Sequence, residues 1–224
     1  MNPHMPRQAE PEFMDIPAEA AAYARADFSD VNQAFVDRLM ELAAHLEAAA
    51  ALDLGTGPGD IPVRVGRARP RWRLVAVDAS AAMLDYAGQA VAAAGLSGSI
   101  ELVLADAKDT GLPARSFDVV FSNSILHHVN ATDRFWAELK RVGKPGAIVL
   151  LRDLARPESA EGAAEIVHRH APGESEILRE EFYRSLLSAY TPEEVTAQLA
   201  RAKLESLAVA MASDRHLDVF GRLP

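Results

Sequence analysis

The sequence predicts an α/β protein with a mostly parallel sheet that helices cover on both faces. Predicted strands and helices alternate over residues 50–151. The strands are short and almost continuously apolar, which is typical of parallel strands buried on both faces. A glycine-rich segment follows the first strand directly, where the next helix offers free backbone N–H groups to a ligand. We therefore expect a ligand-binding α/β domain.

The alternation is assigned from apolar runs and their periodicity. Strands are predicted where short apolar runs end at glycine or at a polar residue, over 50–54, 72–77, 100–105, 117–122 and 147–151. Helices are predicted where apolar residues recur three or four positions apart, over 18–50, 61–69, 80–94, 132–142 and 191–202. Residues 207–212 and 216–220 are predicted to form a closing antiparallel hairpin.

Two segments depart from the alternation. Residues 1–17 contain four prolines and are expected to form an irregular N-terminal arm, followed by a single domain over residues 18–224. Residues 156–190 are too long for an ordinary connection and are interpreted as two helices, 160–170 and 176–187. Because this insertion follows strand five, we expect it to form a mobile helical cap above the carboxyl edge of the sheet.

The composition narrows the range of partners. The chain carries a formal net charge of −9, and nucleic-acid binders usually need a basic face to neutralise phosphates. A small-molecule partner is therefore favoured and nucleic acid is not expected. The absence of cysteine excludes disulfides and a cysteine nucleophile. No apolar run is long enough to span a membrane, so we expect a cytoplasmic protein, and a homodimer stays open as an alternative.

The central motif is Asp53-Leu54-Gly55-Thr56-Gly57-Pro58-Gly59-Asp60, directly after the first strand. Its three glycines let the backbone turn tightly and approach a ligand closely. NAD- and FAD-binding folds also use such a loop, so the loop alone does not identify the ligand. Asp53 separates the interpretations, because it would oppose a pyrophosphate and would favour a ligand with an amino group and a sulfonium, such as S-adenosylmethionine (SAM).

Two further acidic residues end predicted strands. Asp78 follows strand two, where a carboxylate can accept hydrogen bonds from both ribose hydroxyls of a nucleoside. Asp106 follows strand three, where it can accept from an adenine amino group while the backbone N–H of Ala107 donates to the ring. Each aspartate alone is also compatible with a helix cap.

These motifs, in this order, resemble those of the class I SAM-dependent methyltransferase family over residues 35–223. Segment 53–59 resembles its first motif, 77–84 its ribose-and-adenine segment, 105–107 its adenine motif, 117–123 its fourth strand and 144–147 the turn before strand five. The resemblance implies a doubly wound, seven-stranded sheet with an antiparallel last strand, and SAM as the cofactor. It implies that cofactor-binding residues are Asp53, Gly55, Gly57, Gly59, Asp78, Ala79, Met83, Asp106, Ala107 and Asn123.

Catalytic residues are harder to assign, because methyl transfer needs a general base only when the acceptor arrives protonated. The candidates are Asn123 and His127 after strand four and Tyr183 in the cap insertion. His127 and His128 are adjacent, and neighbours on a helix point about 100° apart. We therefore expect the two histidines not to share one site, and no metal site is predicted.

The favoured function is a SAM-dependent methyltransferase that acts on a small-molecule acceptor. The main alternative is an enzyme that uses SAM in another reaction, such as intramolecular cyclisation with release of methylthioadenosine. A nonenzymatic SAM-binding protein and a nicotinamide-dependent oxidoreductase are weaker alternatives.

Overall fold

The computed structural model describes residues 5–10 and 26–224 of the chain. Within them, the strands are β1 (Ala50–Leu54), β2 (Arg73–Asp78), β3 (Ile100–Leu104), β4 (Phe117–Asn123), β5 (Gly143–Leu154), β6 (Leu207–Met211) and β7 (His216–Arg222). The helices are α1 (Ser29–Leu42), α2 (Asp60–Ala68), α3 (Ala81–Ala93), α4 (Thr132–Val142), α5 (Ala160–His170), α6 (Glu176–Ser188) and α7 (Pro192–Arg201). A short 3₁₀ turn, η1 (Leu126–His128), follows β4.

The seven strands form one sheet in the order β3-β2-β1-β4-β5-β7-β6. The pairs β3–β2, β2–β1, β1–β4 and β4–β5 are parallel, whereas β7 runs antiparallel to both β5 and β6. The strand order reverses beside β1, and in open α/β sheets ligands bind outside the carboxyl ends of the strands at such a point. The predicted fold class, including the antiparallel last strand and the closing hairpin, is confirmed.

Helices cover both faces of the sheet, and successive residues of β4 show the two layers. Val120 belongs to a core cluster with Trp136 of α4, whereas Phe121 belongs to a second cluster with Phe35 of α1 and Trp72. The four aromatic side chains of these clusters named here, Trp136, Phe121, Phe35 and Trp72, are almost fully buried. The near-continuous apolar strands of the sequence are therefore explained by packing on both faces.

The boundaries of two elements differ from the predicted ones by more than two residues. β5 spans Gly143–Leu154 rather than 147–151, because β7 pairs with its outer edge as far as Leu154 and keeps that end of the strand extended. The first helix spans Ser29–Leu42 and ends well before the predicted residue 50, because residues 43–49 form the irregular connection that leads into β1. The part of the prediction that covers 18–25 lies outside the described residues.

The insertion forms the two predicted helices, α5 and α6, which have a small apolar core of their own. Residues 5–10 of the arm have no regular secondary structure, and they lie against this insertion. The backbone N–H of Met5 donates to the carbonyl of Glu158 over 3.1 Å, and that of Gln8 donates to the carbonyl of Leu187 over 3.0 Å. The described part of the chain contains no helix with the length and apolarity that crossing a bilayer requires.

Candidate functional site

The ends of four adjacent strands bring the predicted cofactor residues to one edge of the sheet. β3, β2, β1 and β4 are neighbours, and their carboxyl ends carry Asp106, Asp78, the glycine loop and Asn123 respectively. The ends of β2 and β3 are in direct contact, since the backbone N–H of Ala105 donates to the carbonyl of Asp78 over 3.0 Å. Residues far apart in the sequence therefore line one continuous edge.

The glycine loop turns sharply at the end of β1. The backbone N–H groups of Gly55 and Thr56 both donate to the carbonyl of Val77 on β2, over 2.8 and 2.9 Å. Gly55 has φ of +76°, and a Cβ at this position would collide with the side chain of Ile125. The loop is thus held between β2 and the segment that follows β4.

The other two glycines have different roles. Gly59 has φ of +86° at the start of α2, and a Cβ there would lie 2.9 Å from the backbone of Ala87 on α3. Gly59 therefore allows two helices to approach each other. Gly57 has φ of +55°, and a Cβ there would meet no atom of the described residues within 4 Å. Gly57 consequently borders open space, which is the position that a ligand over the loop requires.

Asp53 lies beneath the loop and is only 2% exposed. Its Oδ2 atom is buried and accepts no hydrogen bond from the residues that the structure describes. Burial, together with the nearby negative charge of Asp78, raises the pKa of Asp53 to about 7, although the Thr56 hydroxyl opposes the rise. An unpaired buried carboxylate costs several kcal/mol, so this site favours a cationic hydrogen-bond donor. The orphaned oxygen fits the amino group of SAM and does not fit a pyrophosphate.

Asp78 connects the glycine loop to the start of α3. Its Oδ2 accepts from the backbone N–H of Gly57 over 2.7 Å, and its Oδ1 accepts from that of Ser80 over 2.9 Å. Burial raises the pKa of the Asp78 carboxyl, while these two bonds oppose the rise. Ala79 is exposed beside it. Ser80, rather than Asp78, is the N-cap of α3, since its hydroxyl accepts from the backbone of Met83.

The residues predicted to contact adenine already form contacts within the protein. Asp106 accepts from the backbone N–H of Lys108 over 2.8 Å and forms an ion pair with its ammonium over 3.0 Å. Ala107, which lies between Asp106 and Lys108 in the chain, is half-buried. Met83 is 4% exposed, so packing is its first role.

The predicted catalytic residues do not form one group. Asn123 is half-buried at the end of β4, and its amide donates to the hydroxyl of Ser124 over 3.3 Å. His127 is only 4% exposed, and its Nδ1 lies 2.5 Å from Oδ1 of Asp153. Tyr183 packs against the small core of the insertion. Asn123 thus lines the edge directly, whereas His127 is buried beneath it.

The expectation that His127 and His128 diverge is wrong. They lie in a 3₁₀ turn that ends at His128, and their ring centroids are 4.1 Å apart. The carboxylate of Asp153 also accepts from the backbone N–H of Leu126, which fixes the turn against the end of β5. His168 and His170, on α5, are exposed.

One basic residue near this edge is neutralised within the protein. Arg152 on β5, a basic residue at the carboxyl edge, forms a two-bond ion pair with Asp218 on β7 over 2.7 and 2.8 Å. The register of the antiparallel pair places these two residues opposite each other. Arg152 is therefore not available to an acidic ligand.

Sequence reasoning missed Glu10, which lies 3.5 Å from the ring of His128. No local pattern marks Glu10, because its position depends on how the irregular arm docks onto η1 and α6. It also missed Ile125, whose side chain excludes any residue but glycine at position 55.

The fold and this edge define a nucleoside-binding α/β protein of the Rossmann-like class. A family model described as "Methyltransferase domain" matches residues 52–151. The chain is 32% identical over 155 residues to the malonyl-[acyl-carrier protein] O-methyltransferase of Yersinia pestis, which covers 65% of this chain and 53% of that protein. It is 31% identical over 110 residues to the ubiquinone/menaquinone biosynthesis C-methyltransferase UbiE of Hahella chejuensis, covering 49% and 44% of the two chains.

A crystal structure of a SAM-dependent methyltransferase from Aquifex aeolicus superposes with a TM-score of 0.69 at 21% identity, covering 93% of this chain and 99% of that one. These similarities support a class I SAM-dependent methyltransferase, and SAM is the cofactor that this family uses. The chain spans about half the length of the curated relatives above.

Proposed function

We propose that the protein transfers the methyl group of SAM to a small-molecule acceptor. The observation that carries this proposal is the buried Asp53 carboxylate, whose Oδ2 lacks a partner among the described residues. A SAM amino group is a cation that can donate to this oxygen. The like charge of a dinucleotide pyrophosphate would instead be repelled, which argues against a nicotinamide-dependent enzyme.

The remaining cofactor contacts follow the strand order across the edge. Asp78 would accept from the ribose hydroxyls, and Asp106 with Ala107 would receive the adenine ring, beside Met83. Gly57 leaves the space that the ligand occupies. Because these groups come from neighbouring strand ends, they are fixed before the ligand arrives.

The chemistry places modest demands on the protein. SAM supplies a methyl carbon that its sulfonium already activates for in-line displacement, so positioning and exclusion of water supply most of the acceleration. We assign orientation at the reacting centre to Asn123, because its amide lies at the end of β4 beside the loop. Tyr183 stays a prediction as an acceptor contact from the cap. The burial of His127 argues against direct contact with an acceptor.

Several features favour a small molecule as the acceptor. The net charge of −9 disfavours nucleic acid. The two relatives are named for malonyl-carrier-protein O-methylation and for quinone-biosynthesis C-methylation, so the fold serves oxygen and carbon acceptors alike.

Because Arg152 is paired with Asp218, an acidic acceptor would need a cation from another element. The lack of cysteine fits a reducing compartment such as the cytoplasm.

Product analysis by mass tests this proposal. The protein is incubated with SAM alone and then with small acids, amines, phenols and thiols, with Gly57→Val as an inactive control. We expect S-adenosylhomocysteine to form only with one acceptor class, together with an acceptor heavier by one methyl group. Methylthioadenosine released without any acceptor would contradict methyl transfer and would support cyclisation of SAM.

A further inference from the structure

Three side chains that can bind a metal ion converge between the N-terminal arm and η1. Glu10 comes from the arm, and His127 and His128 come from η1. One ligand atom from each lies within 4.8 Å of the other two. Oε2 of Glu10 is 3.5 Å from Nδ1 of His128, and the two imidazole rings face each other with centroids 4.1 Å apart. Two imidazoles and a carboxylate therefore surround one small volume.

Glu10 has one carboxylate oxygen without a hydrogen-bond donor in this volume. Its side chain is 10% exposed, and its Oε1 is buried without a hydrogen-bond partner in the described ranges 5–10 and 26–224. The hydroxyls of Ser185 and Ser188 donate to Oε2 only, over 3.3 and 3.4 Å. A buried carboxylate oxygen with no donor is costly, and a cation at this point would remove that cost.

His127 is oriented as metal-binding histidines usually are. Its Nδ1 lies 2.5 Å from Oδ1 of Asp153, so in the neutral ring Nδ1 would donate to this carboxylate and Nε2 would present its lone pair to a metal ion. Asp153 is itself fixed by the backbone N–H groups of Leu126 and Leu154. Such a carboxylate–histidine pair fixes the ring and increases its basicity as a ligand. The arrangement accounts for a buried His–Asp pair that lies too deep to touch the acceptor.

We propose that Glu10, His127 and His128 bind a divalent transition-metal ion of the zinc type. Imidazole nitrogens with one carboxylate suit zinc, and three protein ligands leave one position open for water. Ligand bonds of about 2.1 Å place tetrahedral ligands about 3.4 Å apart, so the three groups would move together by roughly 1 Å on binding.

The ion would tie the N-terminal arm to the body of the protein. Arg7 already contributes to this contact, because its guanidinium donates to the carbonyls of Ser188 and His127 over 2.5 and 2.8 Å. The positive charge of Arg7 opposes a cation at His127, whereas the negative charges of Asp153 and Glu10 favour one. The two carboxylates of Glu10 and Asp153 would balance the ion. This site is independent of the cofactor pocket proposed above.

The test uses the 224-residue chain without a tag, stripped with a chelator and titrated with Zn²⁺ against a chromophoric indicator. Co²⁺ serves as a second probe, since four-coordinate Co²⁺ absorbs strongly in the visible range. The test variant is Glu10→Gln, which keeps the shape and removes the charge. The control is His168→Ala, because His168 is an exposed histidine on α5. His128→Ala provides a second test variant, since its side chain is 23% exposed.

We expect one equivalent of tightly bound Zn²⁺ in the wild type and in His168→Ala, with a higher melting temperature than the stripped protein. Glu10→Gln should bind Zn²⁺ at least about tenfold more weakly, since even changes outside the ligand shell cost that much. Binding of S-adenosylhomocysteine should be retained in Glu10→Gln, which separates this proposal from the cofactor site. Absence of Zn²⁺ binding, or wild-type binding by both test variants, would overturn it.

Discussion

The affinity for the cofactor should depend on pH through Asp53. Burial raises the pKa of its carboxyl to about 7 in the free protein, so at acidic pH the group is protonated before a ligand arrives. The amino group of the ligand binds the ionised form of Asp53. A raised pKa in the free state therefore means that affinity is fully developed above pH 7 and is lost as the pH falls below 7.

The expected size of the effect follows from this pKa. With a pKa of about 7, the ionised fraction falls from roughly three quarters at pH 7.5 to about 3% at pH 5.5, a loss of about 25-fold in affinity or about 1.9 kcal/mol. The ligand amino group, with a pKa near 7.8, stays mostly protonated over this range.

The assay is calorimetric titration with S-adenosylhomocysteine, which carries the same amino group and does not react. Repeating the titration at about pH 6 in buffers of different ionisation enthalpy counts the protons released, and we expect close to one per ligand. Asp53→Asn should bind more weakly, with an affinity that no longer depends on pH. Asp85→Asn, at an exposed position of α3, should behave as the wild type. Equal wild-type affinities at pH 5.5 and 7.5 would refute this reasoning. So would an affinity of Asp53→Asn that depends on pH as strongly as that of the wild type.

Three other predictions separate ligand contacts from stability. Gly57→Val should abolish binding of S-adenosylhomocysteine and lower the free energy of unfolding by only about 1–2 kcal/mol. In Gly59→Ala the new Cβ would lie 2.9 Å from the backbone of Ala87, so the main effect should be a loss of stability. Ligand titration and urea unfolding of both variants would distinguish the two effects. Arg156→Ala should destabilise the fold by about 3 kcal/mol in urea unfolding, because it removes the hydrogen bonds of a buried guanidinium to the Ala189 carbonyl and the Glu194 carboxylate, and a loss below 0.5 kcal/mol would contradict this. Burial lowers the pKa of His216 to about 4, so as the pH falls the unfolded chain binds a proton at this residue before the folded chain does. The contribution of His216 to the free energy of unfolding should be complete above pH 6.5 and should fall by at most about 3 kcal/mol as the pH drops to 4. In His216→Gln, the free energy of unfolding should lose this part of its dependence on pH.

The acidic residues of the cofactor edge could be predicted from the sequence because each lies at a strand end or just after it. Asp53, Asp78 and Asp106 lie within one or two positions of apolar runs, and parallel strands end at the same edge of a sheet. Local order along the chain is then sufficient to place them together. The same holds for the hairpin β6–β7, since its two strands are adjacent in sequence.

Features that depend on long-range packing could not be predicted in this way. The 3₁₀ turn that brings His127 and His128 face to face is fixed by Asp153, on another strand. The pairing of Arg152 with Asp218 depends on the register between β5 and β7. Glu10 reaches the histidines only because the arm docks on α6. In each case the deciding contact joins residues that are distant in the chain, and no local periodicity encodes it.

Equilibrium binding of S-adenosylhomocysteine and of NAD to the purified protein tests the central claim most directly. The unpaired Asp53 oxygen beneath the glycine loop predicts that S-adenosylhomocysteine binds one site per chain at neutral pH and raises the melting temperature, by about 2.7 kcal/mol of added stability at a hundredfold excess over Kd. NAD should have no effect under the same conditions. Stabilisation by NAD without stabilisation by S-adenosylhomocysteine would contradict the assignment of this edge to SAM.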